Sequence, residues 1–200
     1  MTKILVLCTA NVCRSVMAAA LLDRRLTALG VAASVRSAGI LRPNHPVSPE
    51  VASVLARSGL DVSSHRSRVV SVEDLVASDL VLGMAREHVR HAVAVVPGVW
   101  PRAFTLKEFV RRGGAVGCRA PAEPVAAWLS RIHHGRSRSA LLGESLDDDV
   151  PDPAGAEIQA YIATEFNLGQ LTTRLVQLCW GLPVQPLACS LTISVEDRAR

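Results

Sequence analysis

Two hydrophobic rhythms run along the chain: short unbroken apolar runs, and longer stretches with helical spacing. Ile4-Leu5-Val6-Leu7 is apolar at every position, as a strand covered on both faces should be. Val31 to Ala38 reads as a second strand, Asp79 to Met84 as a third and Arg102 to Leu106 as a fourth. Between them lie helical patterns. Val16, Ala20, Leu21, Leu26 and Leu29 share one face, and Gly30 stops that helix. Ser48 caps a helix that starts at Pro49 and carries Val51, Val54 and Leu55 inward. Val72 to Ala77 and Ala85 to Val95 are further helices, and Lys107 to Arg112 is a helical turn. Strands alternating with helices predict a parallel sheet covered by helices.

Beyond Arg112 the rhythm loosens. Gly113-Gly114 and several prolines mark loop, with one helix near Val125 to His133. Ala156 to Trp180 then carries a long helical pattern through Ile158, Ile162, Phe166, Leu171, Leu175 and Leu178. Ser15 is placed to cap the first helix through its side chain. The expected organisation is one domain over residues 1–180, with 113–149 as a divergent insertion and 181–200 as a C-terminal extension. Leu182 to Val195 reads as an edge strand or a loose tail.

Composition narrows the class. Of 200 residues, 49% are hydrophobic, enough for one core, and only 4% are aromatic, so that core is aliphatic. The net charge of +4 favours anionic partners, but the basic residues are scattered in short clusters such as Arg111-Arg112 and Arg136 to Arg138. No nucleic-acid-binding motif occurs, and no apolar stretch approaches the ~20 residues of a membrane span. The five cysteines are odd in number and unevenly spaced, which argues against a secreted disulfide framework. With no signal-peptide pattern at the start, the expected compartment is the cytoplasm. His133-His134 forms no metal-ligand set, and neither a metal nor a cofactor is expected. The oligomeric state is not legible in the sequence.

The candidate chemistry lies between the first strand and the first helix. Cys8-Thr9-Ala10-Asn11-Val12-Cys13-Arg14-Ser15 is a cysteine, five residues, an arginine and a serine. A thiol is a weak nucleophile until ionised, and a helix N-terminus with a neighbouring arginine and hydroxyl favours the thiolate. Backbone N–H groups of such a loop converge on phosphate oxygens, and Arg14 adds a planar fork. The whole loop from Thr9 to Ser15 is therefore the candidate phosphate site, with Cys8 set for in-line attack. A buried strand-end cysteine beside a surface arginine would share this spacing. Phosphoryl transfer also needs a proton for the leaving oxygen. Asp152, stiffened between Pro151 and Pro153, is the best candidate, although Asp-Pro is also ordinary turn chemistry. Asp147 to Asp149 read as a solvated charge run.

The segment from Val6 to Ser15 resembles the signature of the low-molecular-weight protein tyrosine phosphatases. Ser37-Ala38-Gly39, Ser64 to Arg68, Asp79 to Met84 and Asp152-Pro153 follow in that family's order. The resemblance covers about residues 3–112 and 147–180. It implies a four-stranded parallel sheet in the order 2-1-3-4, helices on both faces and a phosphate loop after the first strand. It implies Cys8 as nucleophile, Arg14 as phosphate binder, Asp152 as general acid and Ser15 as partner of the thiolate. It also implies that Asn11, Ser37 and His65 brace the loop, and that Cys13 forms a reversible disulfide with Cys8 under oxidation. The implied substrate is a phosphorylated protein or small phosphomonoester, foremost phosphotyrosine.

Some positions depart from the family pattern. Ala10 replaces a usual glycine and would strain a left-handed backbone. Val16 replaces a proline. Ala154, and Leu41 with Arg42, stand where aromatic walls are frequent, so the site should be wider and less aromatic. Phosphoarginine-directed members carry threonine at the position of Val12, whereas tyrosine-directed members carry a branched aliphatic residue. Two other readings stay open. One is a non-catalytic phosphate-binding relative. The other is a thiol-coupled arsenate reductase, which needs further cysteines after the third strand, where Met84 to His88 has none.

Overall fold

The computed structural model of the protein describes residues 1–41 and 43–181. Arg42 and the expected extension beyond Gly181 lie outside the described residues. Four strands form one parallel sheet: β1 (Thr2–Cys8), β2 (Ala33–Gly39), β3 (Leu80–Gly83) and β4 (Ala103–Thr105), in the order β2-β1-β3-β4. The helices are α1 (Arg14–Ala28), α2 (Pro49–Arg57), α3 (Val72–Ala77), α4 (Arg86–Val95), α5 (Leu106–Val116), α6 (Val125–His133) and α7 (Ile158–Trp180).

Side-chain alternation along β1 divides the core in two. Ile4 and Val6 pack with Leu80, Leu82 and Phe104 among residues of α1, α2, α5, α6 and α7. Leu5 and Leu7 face the opposite layer with Val81, Ala103, Leu75 of α3 and Val89 of α4. This is why the first run is apolar at every position. Both faces of β1 are dry, and each fully buried leucine contributes roughly 1.5–3 kcal/mol. Among the described residues no helix is long and apolar enough to cross a membrane.

The helix ends follow their sequence signals in most places. The Ser48 hydroxyl accepts from Val51 N–H at 3.3 Å, and Pro49 opens α2. Gly30, Gly59 and Gly181 each take a positive φ just past a helix. Ser15 is the exception. Cys13 occupies the cap position of α1 without a side-chain cap bond, and the Ser15 hydroxyl is turned into the loop instead.

Two expectations about the second half need correction. Gly113-Gly114 is not loop but lies within α5, which extends to Val116. A Cβ on Gly113 would stand 3.1 Å from Leu178 Cδ1, so the close contact of α5 with α7 overrides glycine's low helix propensity. In α7 the buried stripe is Tyr161, Thr164, Leu168, Thr172, Leu175 and Cys179, while Phe166 is 64% exposed. Residues 113–149 are tied to the core: Trp128, Leu129 and Ile132 join the cluster beneath β1.

Candidate active site

The site forms where β1 ends and α1 begins. A parallel sheet leaves a crevice at its carboxyl edge where strand order reverses, here between β1 and β3. Chain reversal in the loop falls on Asn11, which holds φ at 53°. Ala10 is not among the left-handed residues, so the strain expected there does not arise. Asparagine is among the few residues that enter this region readily.

Asn11 is fully buried and uses every polar group it has. Its N–H donates to Cys8 Sγ at 3.3 Å. Its side-chain amide donates to Ser15 Oγ at 3.0 Å and Ser37 Oγ at 2.9 Å. Its Oδ1 accepts from Arg68 N–H at 3.2 Å, and its carbonyl accepts from His65 Nε2 at 2.8 Å. A carbonyl can only accept, so Nε2 of His65 carries the hydrogen. Gly39 closes the other side. A Cβ there would stand 2.8 Å from the Thr9 carbonyl oxygen and 3.0 Å from Asn11 N. The loop rests on bare backbone.

Cys8 Sγ lies 2.9 Å from Ser15 Oγ. Ser15 already accepts from Asn11, so its own hydrogen is available to the sulfur. Two donors thus converge on Sγ at the start of a 15-residue helix, an arrangement suited to negative charge on sulfur. Cys13 is buried nearby. Burial above all, then the charges of Asp152 and Cys8, push its thiol up to about 12, so it stays protonated.

Arg14 is 5% exposed, and its guanidinium is held from several directions. Nη1 donates to the Val150 carbonyl at 3.1 Å, and Nη2 donates to Thr9 Oγ1 at 3.3 Å and Asp152 Oδ2 at 2.5 Å. Nε is buried without a partner among the described residues, which leaves a donor for an oxygen of an entering anion. Asp152 is 41% exposed at its side chain, and its Oδ1 accepts from Ala154 N–H at 3.1 Å. The structure therefore brings together Cys8, Asn11, Arg14, Ser15, Ser37, His65 and Asp152, which are dispersed over most of the chain.

A cavity of about 560 Å³ opens beside Arg14. Its lining includes Thr9, Glu87, Glu144, Leu146 and Asp152 and holds no aromatic residue. A second hollow of about 260 Å³ lies against Ala10, Val12 and His45. Neither Ala154 nor Leu41 is among the described residues that line these two hollows.

Asp148 and Asp149 are not a solvated run. Asp148 is buried and pairs with Arg86 at 2.7 Å and Arg111 at 2.8 Å. Asp149 accepts from the backbone N–H of Arg86 and of Ser145. Val150 N–H then bonds the Met84 carbonyl at 2.7 Å. These contacts anchor the segment that carries Asp152 onto the end of β3. Glu87 and His88, which touch Thr9, were also not singled out from the sequence. Their position just after the third strand, at the crevice, was the available pointer.

Comparison with known proteins agrees with this geometry. Residues 3–125 match the family model described as low molecular weight phosphotyrosine protein phosphatase. The low molecular weight protein-tyrosine-phosphatase Etp of Escherichia coli (strain K12) is 36% identical over 111 residues, covering 55% of this chain and 72% of that protein. A protein-arginine-phosphatase of Geobacillus stearothermophilus is 30% identical over 176 residues, covering 88% and 94%. The crystal structure of a low molecular weight protein tyrosine phosphatase from T. tengcongensis superposes with a TM-score of 0.68 at 31% identity, covering 88% of this chain and 99% of that one.

Proposed function

The chain belongs to the low-molecular-weight protein tyrosine phosphatase family, and from that premise we propose how its own residues divide the work of phosphomonoester hydrolysis. Cys8 Sγ attacks phosphorus in line, and the P–O bond to the leaving group breaks as the S–P bond forms. The loop N–H groups and Arg14 hold the equatorial oxygens through the transition state. Asp152 gives its proton to the departing oxygen. It then takes one from the water that attacks the cysteinyl phosphate, so thiolate and inorganic phosphate are released. Ser15 holds the sulfur in both steps. Asn11, Ser37 and His65 keep the loop open.

The observation that carries this reading is the convergence of Ser15, Arg14 and Asp152 on the mouth around Cys8. In the free protein Asp152 is ion-paired with Arg14, and an entering phosphate monoanion competes for the same Nη2 and hands Asp152 the proton that it then gives to the leaving oxygen. A binding-only role is motivated by Ala10, Ala85 and Ala154, of which Ala10 carries no left-handed backbone. Arsenate reduction lacks support: the segment Met84 to His88 has no cysteine, and the similar proteins carry phosphatase names.

The proposed substrate is phosphotyrosine in a protein, which the branched aliphatic Val12 supports. Phosphoarginine is a second reading, favoured by one observation: in sequence the protein-arginine-phosphatase resembles 88% of this chain, against 55% for Etp. The free thiols of Cys8 and Cys13 suit a reducing, cytoplasmic setting, with Cys13 as the partner that captures an oxidised Cys8.

The test is turnover of p-nitrophenyl phosphate and of matched phosphotyrosine and phosphoarginine peptides. Cys8→Ser should abolish all of it. Asp152→Ala should slow peptide substrates by roughly 10²–10⁴-fold, the range of general acid catalysis. Undiminished turnover by Cys8→Ser would sink the assignment. A larger kcat/KM on phosphoarginine would move the substrate to the second reading.

A further inference from the structure

His88 is completely buried, at the third position of α4, and no step above uses it. Its two ring nitrogens have different neighbours. Nδ1 accepts from Ala85 N–H at 2.9 Å, which closes the first turn of the helix. An accepting Nδ1 leaves the hydrogen of a neutral ring on Nε2. Nε2 lies 3.1 Å from Thr9 Oγ1 and 3.3 Å from Glu87 Oε1.

The Thr9 hydroxyl has one hydrogen and two lone pairs, and all three are engaged. Arg14 Nη2 can only donate, and it does so at 3.3 Å. His88 Nε2 donates as well, so the hydroxyl hydrogen goes to Glu87 Oε1 at 3.3 Å. The hydroxyl therefore has one orientation available. Its lone pair is aimed at the guanidinium that binds phosphate.

From this geometry we infer that His88 is a positioning residue for the phosphate site, acting through the Thr9 hydroxyl to fix the plane of Arg14. The inference rests on the phosphatase reading above and deepens it. The consequence for charge matters. The groups that hold Arg14 permanently, Thr9 Oγ1 and the Val150 carbonyl, are both neutral. Its one charged partner among the described residues is Asp152, the half-exposed group that must leave to serve as acid. Glu87 is kept one hydroxyl away. The arginine is thus oriented without its charge being neutralised by a fixed carboxylate. Burial first, and then the neighbouring charge of Arg14, push the His88 pKa down to about 3, which keeps the ring in the neutral form this arrangement needs.

The two jobs of the ring are separable by substitution. Asparagine keeps an acceptor for Ala85 N–H but has no donor that reaches Thr9. Glutamine keeps a donor near the position of Nε2. His88→Asn and Thr9→Val should each lower kcat/KM on p-nitrophenyl phosphate and the affinity for vanadate by roughly tenfold, the scale of one lost hydrogen bond to a charged group. His88→Gln should recover most of that loss. The double variant His88→Asn/Thr9→Val should be no worse than Thr9→Val, because both cut the same connection. Wild-type kinetics and vanadate affinity in His88→Asn, or a loss in His88→Gln alone, would overturn the inference and assign the ring to helix capping only. Additive losses in the double variant would overturn it too. Vanadate binding reads the phosphate site whether or not turnover is detected. A failure of the catalytic reading, seen as activity that survives Cys8→Ser, is therefore a separate result.

Discussion

At the scale of single residues the loop is a problem of space and of hydrogen-bond supply. Asn11 resolves the second part by spending its whole polar inventory on Cys8, Ser15, Ser37, His65 and Arg68. Gly39 resolves the first, and it offers a sharp test. In Gly39→Ala the new methyl meets three backbone atoms at 2.8–3.0 Å, none of which belongs to a flexible side chain. The expected cost is about 1–3 kcal/mol in urea denaturation, together with a collapse of vanadate affinity as the loop is pushed aside. A variant with normal affinity would show that the loop yields more easily than its packing implies. Legibility at this scale followed chain distance. Cys8, Arg14 and Ser15 stand in one short segment, and Ser37, His65 and Asp152 were reachable through ordered motifs. Glu87, His88 and Asp148 were not. Each acquires its role from a partner some forty to eighty positions away, and neither periodicity nor spacing records such a partner. The backbone at Ala10 was not legible for a related reason: which loop residue turns left-handed depends on the buried bonds of its neighbour Asn11.

Among the elements, those set by local pattern were the legible ones. Strands β1 and β3 were read from continuous apolar runs because the sheet is covered on both sides there. The helix ends were read from Ser48 and Gly30 because capping is local. What escaped were features set by packing, namely the glycines inside α5 and the rotation of α7 that leaves Phe166 outside. The link from α6 back to β4 is another of this kind. Arg136, just beyond α6, looked like part of a basic surface cluster, yet its side chain is 2% exposed. Its guanidinium lies over Trp100 and Phe104 at 3.9 and 4.0 Å from the ring centroids and forks onto Glu108 at 2.7 and 2.8 Å. Removing one partner of a buried pair strands the other. Arg136→Ala is therefore expected to cost about 3–5 kcal/mol, read as a lower midpoint in chemical denaturation. A shift below 1 kcal/mol would mean that water reaches Glu108 and replaces the arginine.

For the whole molecule, buried titratable groups set how stability responds to acid. His88 has its folded pKa pressed down to about 3, through burial and then the charges of Arg14, His91 and Arg90. Below its ordinary value of 6.5 the unfolded chain takes up a proton that the folded ring refuses. Stability is therefore unaffected by this ring above about pH 6.5 and falls as pH drops toward 3, by at most about 1.4 kcal/mol per unit. His133 is lowered by burial and by Arg136 and acts in the same sense. Asp74 and Asp148 add their own loss further down. Burial alone would raise them, but the bonds from Arg68 and Ser71, and from Arg111 and Arg86, hold both low. Their stabilisation is present above the usual carboxylate range and disappears as pH falls through the lowered values. Urea midpoints at pH 7.5, 6 and 5 should decline for the wild type and decline less for His88→Asn. Equal slopes would remove His88 from the account. The sheet order was legible because the loop and its braces followed one another in a known sequence. The anchoring of residues 141–150 on α4 and α5 was not, since it depends on arginines far along the chain. The Arg14–Asp152 pair carries a consequence in time. The two partners stand 138 positions apart. As the chain leaves the ribosome, Cys8 and Arg14 emerge long before Val150 and Asp152. The nucleophile is thus made before the residue proposed as its acid. A chain that stops short of residue 150 lacks both the Val150 carbonyl and the Asp152 carboxylate that hold Arg14, so the cradle is completed only by residues that emerge late.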